Sequence, residues 1–317
     1  MGFSFKHGEP VPRAIRRIAA EELKSAAEGL RGSTSANRDR PVHETRKSIK
    51  KVRAILRLMS GELGPVAEAE NELLRDLARK VSPLRDAAVL VETFDDLSGR
   101  QNGAIDAALL ARIRAELVRN LARVAKTSEA SRSPATIAFA LERAAKRARA
   151  WPVRTGGFNA LAPGLARAIR RGRKRLKEAL AETTPVRCHE FRKRVKDHWY
   201  HVRLLEKAWT QETKRREKDL KKLETLLGDD HNLEVLGERV AAFPWPGTAP
   251  IRQAIAERQI ELRQEALALG QLIYAPKADV FVEEARALWD AWQEQPARRR
   301  SPQHRVTQAA EREAPAA

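Results

Sequence analysis

Along the chain, apolar positions recur three and four residues apart, with Leu, Ala, Arg, Glu and Lys filling most of the sequence. This is the period of amphipathic helices, and no stretch alternates as a half-buried strand does. The pattern predicts an all-α protein. Breakers at Gly32 to Asn37, Gly61 to Pro65, Pro83, Gly99 to Gly103, Ser133-Pro134 and Trp151 to Gly157 divide the first half into helices of ordinary bundle length. Thr183 to Pro185, Gly228 to Asp230, Pro244 to Pro250 and Ala275-Pro276 divide the second half in the same way. From Gln295 onward the chain is rich in Pro, Arg and Ala and has no apolar face, so residues 295–317 are expected to form a disordered basic tail.

The two halves match each other. The segment VHETRKSIKKVRAILRLM at Val42 aligns with CHEFRKRVKDHWYHVRLL at Cys188, 146 residues further on. LRDAAVL at Leu84 aligns with DHNLEVL at Asp230 under the same offset, and RAIRR occurs at both Arg13 and Arg167. Two copies of one helical unit explain this most simply. Each residue of an α-helix turns the side chain by about 100°, so positions three, four, seven and fourteen after a residue fall within about 60° of it. His43, Arg46, Lys47, Lys50 and Arg57 therefore share one face, and His189, Arg192, Lys193, Lys196 and Arg203 share its twin. Each stripe is roughly 21 Å long, at about 1.5 Å per residue. Like charges at these spacings work against the isolated helix. Val42, Ile49, Val52, Leu56 and Met59 in the first copy, and Val195, Val202 and Leu205 in the second, supply a compensating core face. A bound polyanion would supply the counter-charge. Taken singly, a basic helical face reads as solvated surface; its recurrence at identical spacing favours a site.

Charge agrees with this picture. Lys and Arg number 61 against 42 Asp and Glu, for a formal charge of +19, which draws anions over long range. The apolar fraction, 42%, is enough for a real core. Cys188 is the only cysteine, which excludes an intramolecular disulfide or a cysteine-cluster metal site; it reads as a small apolar residue at a helix start. The N-terminal residues lack the apolar run of a secretory signal and no segment has the length of a membrane span, so a cytoplasmic location is expected. No metal or other cofactor is expected. Neither His43 nor His189 belongs to an HExxH or HxxxH pattern, and their neighbours one turn away are cationic. His198 and His201 have no counterparts in the first copy and read as incidental; Glu44 and Glu190 favour the helix N-terminal dipole and are assigned no chemistry. A binder of polyphosphate or a similar polyanion is the leading reading, a DNA- or RNA-binding protein the alternative, and a phosphotransfer or hydrolytic enzyme using His43 or His189 the third. Aromatics make up only 5% of the chain and none interrupts the first stripe, which argues against a single-strand binder. The stripes lack the carboxylates that would hold a catalytic metal.

At the paired stripes the chain resembles the CHAD family, the conserved histidine α-helical domain, whose repeats open with V-H-x-x-R-x-x-x-[KR]-[KR]-x-R. Here Val42, His43, Arg46, Lys50, Lys51 and Arg53 carry the motif, and the second copy carries it through His189, Arg192 and Lys196, with Asp197 and Trp199 in place of Lys51 and Arg53. A second family-like segment contains Arg75, Arg79, Arg85 and Asp86, and its twin contains Lys221, Lys222, His231 and Asn232. The resemblance implies one domain over residues 1–294, with repeats at about 10–151 and 158–294 forming two helical-bundle lobes related by a pseudo-twofold axis. It also implies a basic central channel, inorganic polyphosphate as partner, and association with polyphosphate granules. Some family members carry a fused triphosphatase domain; the chain has no room for one, so a binder and not an enzyme is expected. Arg75, Arg79, Lys221 and Lys222, with Arg16 and Arg170 from the RAIRR pair, complete the candidate ligand-binding residues. The less charged second stripe is expected to grip the ligand less strongly than the first.

Overall fold

The computed structural model describes residues 2–33, 39–101, 103–131, 134–209 and 211–295; the tail expected to be disordered falls, apart from Gln295, outside them. Every regular element among the described residues is helical. The first half contains α1 (Val11–Arg31), α2 (Asp39–Leu58), the single turn α3 (Ser60–Leu63), α4 (Pro65–Gly99), α5 (Ala107–Ser131) and α6 (Pro134–Ala148). After a 3-10 turn at Phe158–Ala160 follow α7 (Ala162–Ala181), α8 (Pro185–Leu204), α9 (Gln211–Ala241), α10 (Ala249–Ile273) and α11 (Ala278–Glu294).

Local chemistry starts these helices where the sequence predicts. At α8, the Thr184 hydroxyl accepts from the Arg187 amide at 3.3 Å and Pro185 opens the first turn, so an otherwise orphaned donor is satisfied. The apolar positions expected to face inward on α2 and α8 are all buried, among them Ile49, Val52, Leu56, Val195 and Val202. They join one continuous core that also takes in Trp151, Phe5, Phe94 and Phe191. Cys188 is buried too, and burial pushes its thiol up to about 11.

Packing follows one order in both halves. α1 lies against α2 and α6, α2 against α4, and α4 against α5; α7 lies against α8 and α11, α8 against α9, and α9 against α10. The halves meet where α2 touches α8 and α7, and where α4 touches α9. The approach of α7 to the end of α2 is so close that a Cβ at Gly164 would sit 2.0 Å from the Leu58 carbonyl oxygen, so only glycine fits. His201 stitches the same junction: its Nε2 donates to the Ala54 carbonyl at 2.9 Å. Burial lowers His201 to about 4 and its neighbour His198 to about 3, so both stay neutral structural groups.

Two expected breaks are not breaks. α4 runs through Pro83 and α9 through Gly228 to Asp230. A proline inside a helix costs about 3 kcal/mol, yet buried Leu74, Leu77 and Val81 precede it and Ala87, Phe94 and Leu97 follow it. Burial on both sides of Pro83 outweighs the lost hydrogen bond. α9 is similarly anchored by Leu220, Leu223 and Leu227 before Asp229 and by Leu233, Leu236 and Val240 after it.

Candidate anion-binding site

α2, α4, α8 and α9 enclose a cavity of about 770 Å³ at the junction of the halves. Its wall holds eight Arg and Lys side chains against two carboxylates, Asp86 and Glu224. α2 contributes His43, Arg46, Lys47 and Lys50; α8 contributes Arg192, Lys196 and Arg203; α9 contributes Lys221. The sequence-predicted stripes thus converge, but not along their whole lengths.

Arg46 and Arg192 each lie against the neighbouring long helix, Arg46 through hydrogen bonds and Arg192 through a 4.0 Å approach to Glu224. Arg46 donates to Asp86 at 2.8 Å and to the Ser82 carbonyl at 3.4 Å, both on α4. Arg192 lies over Gly228 of α9, where an added Cβ would be 3.4 Å from its Nη2. That is an ordinary contact distance, so the guanidinium does not require glycine at this position; the helix continues through Gly228 because α9 is packed on both sides of it.

The two central lysines differ. Lys196 is paired with buried Glu224 at 2.6 Å, and Glu224 also accepts from Lys221 at 2.9 Å. Burial alone would raise the Glu224 carboxyl, but Lys196 and Lys221 outweigh it and hold the group at about 2. Under the 146-residue offset the position matching Glu224 is Ala78. Lys50 consequently has no carboxylate within ion-pair distance among the described residues. Burial, followed by the positive charges of Lys196, Arg46 and Arg192, lowers it to about 7. Lys50 thus faces the basic cavity with no ion-pair partner among the described residues.

The histidines sit at the margin. His43 lines the cavity and is exposed. His189 is set behind the wall, its ring 4.4 Å from that of His231, which does line the cavity. Burial and nearby cations lower all three, His231 to about 4, so near neutral pH they act as uncharged donors or acceptors.

Several predicted ligand residues are engaged elsewhere, and the structure corrects their placement. Lys51 faces α1 and pairs with Glu22 at 2.7 Å. Arg53 donates to Asn71 at 2.9 Å, and Arg57 binds Asp197 of α8 at 2.5 Å, so the first stripe leaves the cavity before its end. Asp197, read as a weakening of the second stripe, is the partner that ties Arg57 across the junction. Arg16 donates to the carbonyls of Trp151 and Val153 at 2.8 and 3.0 Å, a structural clamp on the loop after α6. Arg75 and Arg79 face Asp76, Lys193 pairs with Glu190, and Lys222 pairs with Glu265 at 2.6 Å. Arg170 lies at a separate surface hollow beside Lys277. Conversely, Arg85, Asp86 and His231 line the cavity although the sequence offered them only as motif members. Glu224 carried no sequence signal beyond being a charge where its twin position has alanine. Among the described residues no group of three or more His, Cys, Asp or Glu is placed to hold a metal ion, and no helix is long and apolar enough to cross a membrane.

Fold and site together define an all-helical protein organised around a basic cavity. The CHAD domain model matches residues 14–241, and the chain belongs to the CHAD domain family. Among solved structures it is similar to the CHAD domain from the plant Ricinus communis, with a TM-score of 0.57, 17% identity, and 92% of this chain and 95% of that one covered. It is also similar to PptA from Streptomyces chartreusis, with a TM-score of 0.53, 14% identity, and 90% and 100% covered. At these identities the likeness is one of fold. Comparison with curated proteins finds no sequence match.

Proposed function

We propose that this CHAD protein is a binding module for inorganic polyphosphate, not an enzyme, and that the ligand lies in the cavity between α2 and α8. The observation that carries the reading is the excess of cations on the cavity wall, with Lys50 left without an ion-pair partner among the described residues. Arg46 and Arg192 are suited to paired contacts with phosphate oxygens, while Lys50 and Lys196 act as point charges. The corresponding pairings of helices in the two halves support a duplicated unit within one domain spanning residues 1–294. Its first copy holds the ligand more strongly, because Lys50 is unpaired where Lys196 is neutralised. Binding of this kind would recruit the protein to polyphosphate granules in the cytoplasm.

The test is titration with long-chain polyphosphate beside duplex DNA at equal phosphate concentration. Polyphosphate is expected to bind the more tightly, with an affinity that falls steeply with salt as counterions are released. DNA displacing polyphosphate at comparable phosphate concentration would replace this reading with a nucleic-acid-binding one.

Lys50 adds a pH signature. Burial and the surrounding cations lower its pKa to about 7 from an ordinary 10.5. Below pH 7 the lysine is charged in both folded and unfolded chains and its full destabilisation is present; this is relieved as pH rises from about 7 toward 10.5. Bound phosphate restores the charge, so binding takes up a proton in this window and affinity declines as pH rises through it. Calorimetry in buffers of different ionisation enthalpy at about pH 8.5 is expected to show uptake of about one proton, absent in Lys50→Arg.

A further inference from the structure

A second and larger hollow, about 1410 Å³, opens beside the cavity and shares Trp199, Arg203 and Lys221 with it. One wall is the first part of α9. Lys214, Lys218 and Lys221 follow each other at spacings of four and three, within about 60° of one face, and span roughly 10 Å toward the cavity. Lys207, just past the end of α8, adds a fourth cation to the rim. Among the described residues no carboxylate lies within ion-pair distance of Lys207, Lys214 or Lys218, and all three are exposed. Of the two carboxylates on this wall, Glu217 is engaged by Arg203 at 3.6 Å, leaving Glu206.

The floor is indole, but its faces and donors are already used. Arg203 and Lys221 cover the Trp199 ring at 5.1 and 4.8 Å, and Trp209 Nε1 donates to the Val202 carbonyl at 2.6 Å. Trp209 and Trp292 are themselves buried or nearly so. The hollow therefore offers no open ring on which a base would stack, as single-stranded nucleic acids require. It offers a row of cations over a low-dielectric floor, which strengthens their attraction for a linear, base-free polyanion.

We propose that this groove carries the onward run of a polyphosphate chain whose other part lies in the cavity, so that the protein favours long chains over short ones. The proposal rests on the binding function argued above, and its test separates the two. Affinities for a long-chain polyphosphate and for tripolyphosphate are measured for the wild type and for the combined variant Lys207→Ala, Lys214→Ala, Lys218→Ala. A second combined variant, Lys126→Ala, Lys146→Ala, Lys174→Ala, makes the same charge change at exposed sites away from both hollows. The groove variant is expected to lose long-chain affinity on the order of tenfold, with a salt slope smaller by about two. It should keep tripolyphosphate affinity within about twofold, and the control should keep both within that range. Long-chain affinity equal in the groove variant and the control would overturn the groove while leaving the cavity intact. Equal losses for both ligands would also overturn it, showing diffuse attraction in place of a path. Absence of binding of either ligand to the wild type would remove the underlying function as well.

Discussion

Reversing Arg46 and Arg192 together, as Arg46→Glu with Arg192→Glu, is expected to weaken polyphosphate binding by about a thousandfold or more while leaving the fold intact. Each arginine should supply a charge-assisted contact contributing about 2 kcal/mol, and reversal adds repulsion to the loss. Two such changes exceed about 4 kcal/mol, which is three decades in affinity. The fold should survive because both side chains are on the cavity side of their helices, whereas the core contacts come from Ile49, Val52, Val195 and Val202. Arg75→Glu with Arg79→Glu is the control matched in charge: two basic residues from the same family-like segment, both outside the cavity. Isothermal titration with long-chain polyphosphate, with circular dichroism to check folding, decides the matter. An affinity for the double reversal within about threefold of the control would mean that the ligand does not use this cavity.

The contrast between Arg46 and Arg79 shows what could be read from sequence and what could not. Helical period and breakers announced an all-α chain, and the repeated His-led stripe singled out α2 and α8 as the helices that carry the site. Periodicity names a face, however, and not what stands opposite it. Fourteen residues along α2 the face has passed beneath α7 and α8, so Arg57 meets Asp197 and not the cavity. Lys51, next to Lys50 in sequence, is turned toward α1 and Glu22. Arg16, in the first copy of the recurring RAIRR segment, clamps the loop after α6, whereas its counterpart Arg170 lies at a surface hollow. In each instance the missing information was the identity of a residue distant in sequence. The same holds for Pro83 and Gly228, whose local preference to end a helix is overruled by packing on both sides of them.

Distance in sequence also hid Glu224, the residue with the most telling expected behaviour. Glu224→Gln is expected to destabilise the ligand-free protein by about 3 kcal/mol near neutral pH, because it removes one member of a buried ion pair and leaves Lys196 uncompensated. The wild-type carboxyl is held at about 2 against an ordinary 4.5. Its stabilising contribution is present above 4.5 and fades as pH falls toward 2, so the stability gap between wild type and variant should close over that interval. The same substitution should strengthen polyphosphate binding, on the order of tenfold, since one negative charge leaves the wall and Lys196 and Lys221 become available to phosphate. Saturating polyphosphate should then restore much of the lost stability, more than it adds to the wild type, because it binds the folded variant the more tightly. Denaturant unfolding with and without polyphosphate measures both effects. A variant that lost stability and affinity together would make Glu224 a support for the site's shape. Opposite signs would make it the internal stand-in for the ligand's charge, holding Lys196 in place until phosphate competes for it.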